Sequence, residues 1–223
     1  MDKLAAIRMA VPDDARGILA VYAPYILDSA VTFEYEVPSL DRFKERIAEI
    51  VSDMPYVVCE VDGEITGYAY ASHYRSHAAY QWDCELSVYV KEDSHRGGIG
   101  RRLYEILFSI LKEMNYENAY SCITTPNPQS VKFHEAMGFA KCAYFEHCGF
   151  KHGKWYDVTW MERRLQENIK ENDYRREPGK IKKVSEIPAK FMEDLFAAYE
   201  NDLETSLQND LSICESFLGL LGL

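Results

Sequence analysis

Three glycines fall within four residues, Gly97, Gly98 and Gly100, in the stretch LSVYVKEDSHRGGIGRRLYEIL at 86–107. An alternating apolar run precedes them, and a segment of helical periodicity opening with Arg101 and Arg102 follows. A glycine turn between a strand and a helix suits an anion. With side chains missing, a phosphate can approach the unpaired backbone N–H groups and the positive dipole end of the helix. The dipole alone contributes only about 0.3–1 kcal/mol, so several N–H bonds and neighbouring arginines must supply the rest. Upstream, Glu85 lies in the apolar run WDCELSVYV at 82–90, where burial would raise its pKa towards useful basicity. An ion-paired strand glutamate is the plainer alternative. Asp83 alternates onto the same strand face, where it would do no more than tune Glu85.

Three kinds of phosphate-binding loop compete for HRGGIGRRL at 95–103. A P-loop ends in Gly-Lys-Ser/Thr, whereas Gly100 is followed by Arg101 and Arg102, so that class is excluded. A dinucleotide fingerprint needs a third glycine where this chain has Leu103, and an early βαβ unit that it lacks. The third kind is the pyrophosphate loop of acyl-CoA-dependent acetyltransferases, Gln or Arg followed by x-x-Gly-x-Gly/Ala between a strand and a long helix. Here His95 takes the first place, and Gly98 and Gly100 the next two.

The elements that must position these residues follow from the hydrophobic pattern. AAIRMAV at 5–11 alternates like an edge strand, and the segment at 12–26 opens on Pro-Asp-Asp with helical spacing behind it. After a loop at 29–39, residues 41–51 read as a second helix, and 56–73 as a hairpin turning at Asp62-Gly63. The strand CELSVYV at 84–90 runs into the glycine turn, and a helix follows to about Lys112. Then come a strand at 118–124, a short helix at 127–137, and closing strands at 139–147 and 156–165. The order βαα, βββ, α, β, α, ββ mixes hairpins with crossovers, which predicts a mixed sheet with helices on its faces.

With 223 residues and 47% hydrophobic composition, the chain can bury the core of one ordinary domain with an appendage. A net charge of −11 argues against nucleic acid or anionic membrane as partner, since counterion release needs clustered Lys and Arg. The start MDKLAAIRMAVPDD has no apolar signal core and no run is long enough to span a bilayer, so a cytoplasmic protein is expected. Cys59, Cys84, Cys122, Cys142, Cys148 and Cys214 lack metal-ligand spacing and are read as buried reduced thiols. Residues 1–165 form the expected domain, 166–185 a charged linker containing Pro-Gly, and 186–223 an acidic amphipathic helical extension. That extension either docks or dimerises, or packs on its own domain; its ending FLGLLGL should not be left in water.

Taken in order, VTFEYE, VDGEITGYAYAS, AAYQWDCELSVYV, HRGGIGRRLYE, NPQSVKFHEAMGF and GFKHGKWYDVTWM resemble the GNAT acetyltransferase superfamily. Within it the chain is similar to the phosphinothricin N-acetyltransferase family, over about residues 7–165. The resemblance implies an α/β (α+β) GNAT fold: a mixed central sheet of about seven strands flanked by helices, here followed by the C-terminal helical extension. It also implies acetyl-CoA as co-substrate, no metal, a small-molecule amine as acceptor, and a homodimer.

Residue by residue, the resemblance implies that Val88, Tyr89 and Val90 offer backbone bonds to the pantetheine arm. It implies that His95, Arg96, Gly97, Gly98, Ile99 and Gly100 wrap the pyrophosphate, and that Asn127 touches the cofactor. Val88 to Val90 also read as a plain buried strand, and Arg101 and Arg102 either as cofactor ligands or as surface charges. Glu85 matches the family's general base, needed because an α-ammonium with a pKa of roughly 8 must lose a proton before it attacks a thioester. His134 stands where many members place a Tyr that protonates the leaving thiolate; a structural helix histidine is the alternative. Phe33, Arg75, Tyr80 and His152 are the implied acceptor lining, with Arg and Tyr donors suited to an anionic or polar amino-acid analogue. His77 departs from a second Arg common in the family, which bears on phosphinothricin itself. Acetylation of a polyamine or protein N-terminus, and a non-catalytic acetyl-CoA-binding module acting through a protein partner, are the rival functions. Retention of Glu85 and His134 speaks against the second.

Overall fold

The computed structural model describes residues 5–166 and 175–221; the side chains of His95, Arg96 and 207–221 lie outside that description. Seven strands and five helices alternate as β1 (Ala5–Met9), α1 (Ala15–Asp28), α2 (Leu40–Val51), β2 (Tyr56–Val61), β3 (Glu64–His73) and β4 (Asp83–Val90). They continue as α3 (Ile99–Glu113), β5 (Asn118–Thr125), α4 (Pro128–Ala136), β6 (Ala140–Lys151), β7 (Lys154–Arg164) and α5 (Ala189–Leu221). One sheet holds all seven strands in the order β1-β2-β3-β4-β5-β7-β6. Every neighbouring pair is antiparallel except β4 and β5. The fold is thus the expected mixed sheet with helices on its faces.

Strand alternation divides the core in two. Tyr56, Val58 and Tyr68 pack with Ile18, Ile26, Phe43 and Ile47 of α1 and α2. Val57, Cys59, Ala69 and Leu86 point the other way, onto Leu103, Ile106, Leu107, Ile110 and Leu111 of α3. These five α3 residues recur at helical spacing and are fully buried, so α3 is fixed as the rod against which the glycine turn is set. The β2–β3 hairpin turns at Asp62 and Gly63, both at positive φ, as the Asp-Gly pair predicts.

The last two strands run farther than their sequence pattern suggests. β6 continues to Lys151 and β7 starts at Lys154, so His152 and Gly153 form a tight turn with φ of 49° and 77°. A register shift between Phe145 and Gly149, with His147 at φ 47°, breaks the alternation that would have betrayed the strand. As the edge strand, β6 is mostly exposed, and with β7 it leaves Tyr144, Phe145, Phe150 and Trp155 about half in water. The cysteine expectation holds only in part, and the Cys214 side chain lies outside the described residues. Cys59 and Cys84 are buried among the α3 core, but Cys122, Cys142 and Cys148 are exposed.

The stretch after β7 is bonded to the domain over its described part. Trp82 donates to the Gly179 carbonyl at 2.7 Å, Asn115 to Lys180 O at 2.7 Å, and Lys182 pairs with Glu113 at 2.7 Å. α5 then packs on its own domain, with Leu203 fully buried and Phe191, Leu195, Phe196 and Tyr199 against the α3 core. Its Glu200 carboxylate accepts the Ile7 N–H of edge strand β1 at 2.8 Å. Among the described residues, no helix is long and apolar enough to cross a membrane.

Candidate active site

β4 pairs with β3 over all but its first residue, from Cys84 opposite His73 to Val90 opposite Gly67. With β5 it shares only three positions, Asp83–Asn118, Cys84–Ala119 and Glu85–Tyr120. β5 meanwhile stays paired with β7 out to Thr125. Beyond Glu85 and Tyr120 the two strands therefore part, and the wedge between them opens into a cavity of about 450 Å³. That size suits a small-molecule site. Of the residues implied for the cofactor, Val88, Tyr89, Val90, Gly98, Gly100, Arg101 and Asn127 line it, and so does His134.

The far wall is the glycine turn. Gly98 sits at φ +66°, a left-handed conformation that glycine adopts without steric cost, and it turns the chain into α3. No described side chain caps that helix, so its first N–H groups are open to an anion. A Cβ on Gly100 would stand 3.6–3.7 Å from Val90, Phe133 and Val88, all cavity residues, so a larger side chain there would grow into the cavity. Gly97 closes the turn before Gly98, whereas the Ile99 side chain is buried in the α3 core and leaves only its backbone to a ligand. The arginines divide. Arg101 lines the cavity and pairs with Glu105 at 2.8 Å; Arg102 turns away towards α5. Asn127 caps α4 by accepting the Ser130 N–H at 3.1 Å. The chemistry of this wall, bare amides and a cation at one end with apolar strand residues along the side, fits an acyl-CoA diphosphate and its arm.

Glu85 stands at the apex of the split. It is half-buried, no described side chain pairs with it, and burial raises its carboxyl above the usual range. Among the described residues, the ion pair of the plainer reading is not there. Asp83, by contrast, accepts from Asn118 Nδ2 at 2.8 Å. Cys122 is exposed to the cavity it lines, yet sits deep enough in the wedge that desolvation first and the Glu85 charge second push its thiol up to about 12.

His134 is buried on the α3 side of the sheet. Its Nδ1 donates to the Ser130 carbonyl at 2.8 Å, and its Nε2 accepts from the Tyr104 hydroxyl at 3.1 Å. Burial lowers its pKa, so the ring is held neutral with its proton on Nδ1. The hydroxyl it holds belongs to a cavity residue that sequence reasoning passed over. Tyr104 lies one helical turn after Gly100, and that spacing was the available signal.

Phe33, Arg75, Tyr80 and His152 are not among the residues lining the cavity, and they fall into two groups. Arg75 lies 5.0 Å and 5.6 Å from the ring centres of Tyr74 and Tyr80. Tyr74 stacks at 4.5 Å on Tyr120, the strand neighbour of Glu85. Phe33 and His152 instead join the loop after α1 to the β6–β7 tip. The tip of the Phe33 ring abuts Gly149, where an added Cβ would come within 2.2 Å of Cζ, and His152 Nε2 is 3.2 Å from Ser29 O. Lys151, missed in the sequence, completes this clasp. It is 1% exposed, and its Nζ donates to Ile26 O at 2.7 Å and Thr32 O at 2.8 Å. Among the described residues, no group of three His, Cys, Asp or Glu could hold a metal ion.

A family model for the acetyltransferase (GNAT) domain matches residues 7–160. The chain belongs to the GNAT acetyltransferase family. This GNAT chain is 33% identical to a phosphinothricin N-acetyltransferase of Alcaligenes faecalis over 71% of its own length and 82% of that protein's. It is 30% identical to the L-methionine sulfoximine/L-methionine sulfone acetyltransferase of Salmonella typhimurium, over 73% of its own length and 95% of the relative's. Among solved structures, a GNAT superfamily phosphinothricin acetyltransferase from Sinorhizobium meliloti in complex with acetyl-CoA matches with a TM-score of 0.72 and 31% identity. That match covers 79% of this GNAT chain and 94% of the solved one.

Proposed function

We propose that this GNAT acetyltransferase moves an acetyl group from acetyl-CoA to the primary amine of a small amino-acid-like substrate. The acceptor class is phosphinothricin, methionine sulfoximine or methionine sulfone, as in the relatives' names. The observation that carries the reading is the unpaired, half-buried Glu85 carboxylate at the apex of a split whose far end is a bare helix N-terminus. Main-chain amides around Gly98 and Gly100 hold the diphosphate, and the split strand edge holds the arm, which brings the thioester towards Glu85.

The acceptor arrives mainly as an ammonium, with a pKa of roughly 8. Glu85, directly or through a water, takes one proton, and the freed nitrogen attacks the thioester carbonyl. An N–C bond forms, the C–S bond breaks, and the departing thiolate takes up a proton. The Tyr104 hydroxyl on the cavity wall keeps its one proton on neutral His134 Nε2 and can give it to the thiolate only by breaking that bond, the phenolate then regaining a proton from solvent. Arg75 and Tyr80 supply donors for the acceptor's polar end, while Phe33 and His152 shape the opposite loop. We also propose a cytoplasmic location, one where acetyl-CoA is supplied. A second copy of the chain covers the exposed aromatics of β6 and β7.

Steady-state assays with acetyl-CoA against phosphinothricin, methionine sulfoximine, methionine sulfone, spermidine and an N-terminal peptide test the reading. Turnover with at least one of the first three is expected. Turnover confined to spermidine or the peptide overturns the acceptor class, and binding of acetyl-CoA without turnover on any amine overturns the catalytic role.

A further inference from the structure

The family match stops at residue 160, and a relative matched over 95% of its length has almost nothing left to correspond to α5. Yet α5 reaches the glycine turn through one side chain. Arg102 in the first turn of α3 folds back, its Nη1 donating to the Gly97 carbonyl at 2.9 Å. Its Nε pairs with Asp202 of α5 at 2.7 Å, and its Nη2 lies 3.3 Å from the Asp202 carbonyl. The Arg102 side chain is only 12% exposed and is not part of the cavity wall.

The Gly97 carbonyl and the Gly98 N–H belong to one planar trans peptide and point in opposite directions. A guanidinium holding the carbonyl therefore fixes the plane of this peptide, and with it Gly98, which lines the cavity at the start of α3. Glycine on both sides of this peptide leaves it free to rotate between conformations, so some outside group must choose one. Arg102 makes that choice, and Asp202 holds Arg102 in place with a fork geometry that a lysine cannot copy.

We propose that α5 is part of the cofactor site: Asp202 and Arg102 are positioning residues that lock the Gly97–Gly98 peptide and so hold the turn that presents the α3 N-terminus to the acetyl-CoA diphosphate. The inference rests on the acetyl-CoA reading above. It gives the C-terminal extension a function in cofactor affinity rather than in acceptor choice.

Titration calorimetry with coenzyme A and steady-state kinetics on the full chain test it. Asp202→Asn should raise the acetyl-CoA KM and the coenzyme A Kd about fivefold, and Arg102→Lys about tenfold despite its retained charge. The kcat at saturation and the amine KM should stay unchanged. Asp202→Glu should return to within about twofold of the parent, and the double variant should be no worse than Arg102→Lys alone. Asp194→Asn, which removes another α5 carboxylate at an exposed Lys190 pair, should leave affinity as it was. Unchanged affinity in Asp202→Asn overturns the proposal. So does tighter binding, which would mean that Asp202 withholds Arg102 from the diphosphate. If the parent protein gives no heat with coenzyme A, the acetyl-CoA reading itself fails, and the inference with it.

Discussion

Glu85 and Tyr120 are the last residues that β4 and β5 share before the strands part. One register position thus ends a ladder, opens a ligand cleft and places a carboxylate at its apex. The carboxylate is unpaired because the neighbours it would otherwise meet are Ser72 across β3 and Tyr120 across β5, neither of which is a cation. Burial without a counter-charge favours the protonated form, which is how a carboxyl becomes a stronger base.

Glu85→Gln should lower kcat/KM for the amine by roughly 10²–10⁴, the usual worth of a positioned base. Its pH signature is more specific. Glu85 must be ionised before it can take the ammonium proton, so log kcat/KM climbs with a slope near 1 below the raised Glu85 pKa and levels off above it while the amine is still mainly an ammonium. In the Gln variant the free amine itself must react, so the climb continues up to the amine pKa of roughly 8. An unchanged pH profile in the variant would remove Glu85 from the mechanism.

Gly100 separates fold from ligand. A methyl group there meets only ordinary contacts at 3.6–3.7 Å, so Gly100→Ala should fold normally and keep acetyl-CoA affinity within a few-fold. Leucine is a good helix former, but its extra carbons have only the cavity to enter. Gly100→Leu should keep the parent Tm or exceed it while losing at least about 100-fold in acetyl-CoA affinity. Equal affinity in the Leu variant would mean that the diphosphate lies elsewhere.

Much of this site was readable from the chain because its signals are local. Gly98 and Gly100 stand between an alternating run and a helical one, and the Asp62-Gly63 turn announces its hairpin. The order of elements followed, and with it the sheet's character. What stayed hidden depends on residues distant in sequence. The Arg102–Asp202 pair spans a separation of 100 residues, and Lys151 meets carbonyls 125 and 119 positions away. A lysine beside a turn gives no sign that it will be buried. The exposure of Cys122, Cys142 and Cys148 depends on which sheet face the helices leave bare, and the β6 irregularity between Phe145 and Gly149 erased the alternation that marks a strand.

The neutral state of His134 has a consequence for stability. Its folded pKa lies below the ordinary value near 6.5, so between the two the unfolded chain binds the extra proton. The stability this gives is fully present above about pH 6.5 and is lost as the pH falls towards the folded pKa. His134→Gln removes that dependence. Urea melts at pH 7.5 and 5.5 should show the parent losing more stability than the variant over that interval, and equal losses would refute a neutral buried ring.

Lys151 ties the acceptor side together. Its ammonium is the donor shared by the Ile26 and Thr32 carbonyls, at either end of the turn leaving α1 that carries Val31 to the cavity wall. Phe33 on Gly149 and the Tyr35 hydroxyl on the Phe150 carbonyl lie beside it, so the loop is tied to the β6–β7 tip at several points. Lys151→Met keeps the apolar stem but leaves two carbonyls without their donor, a loss of about 1–3 kcal/mol in unfolding free energy. The loop would then sample several positions, and the amine KM should rise at least about tenfold. The acetyl-CoA KM should change far less, since Gly98 and Gly100 have no part in the clasp and Val31 is the one residue of this loop on the cavity wall. That split between the two substrates is the deciding measurement: a folded variant with both KM values unaltered would show that the clasp serves stability alone.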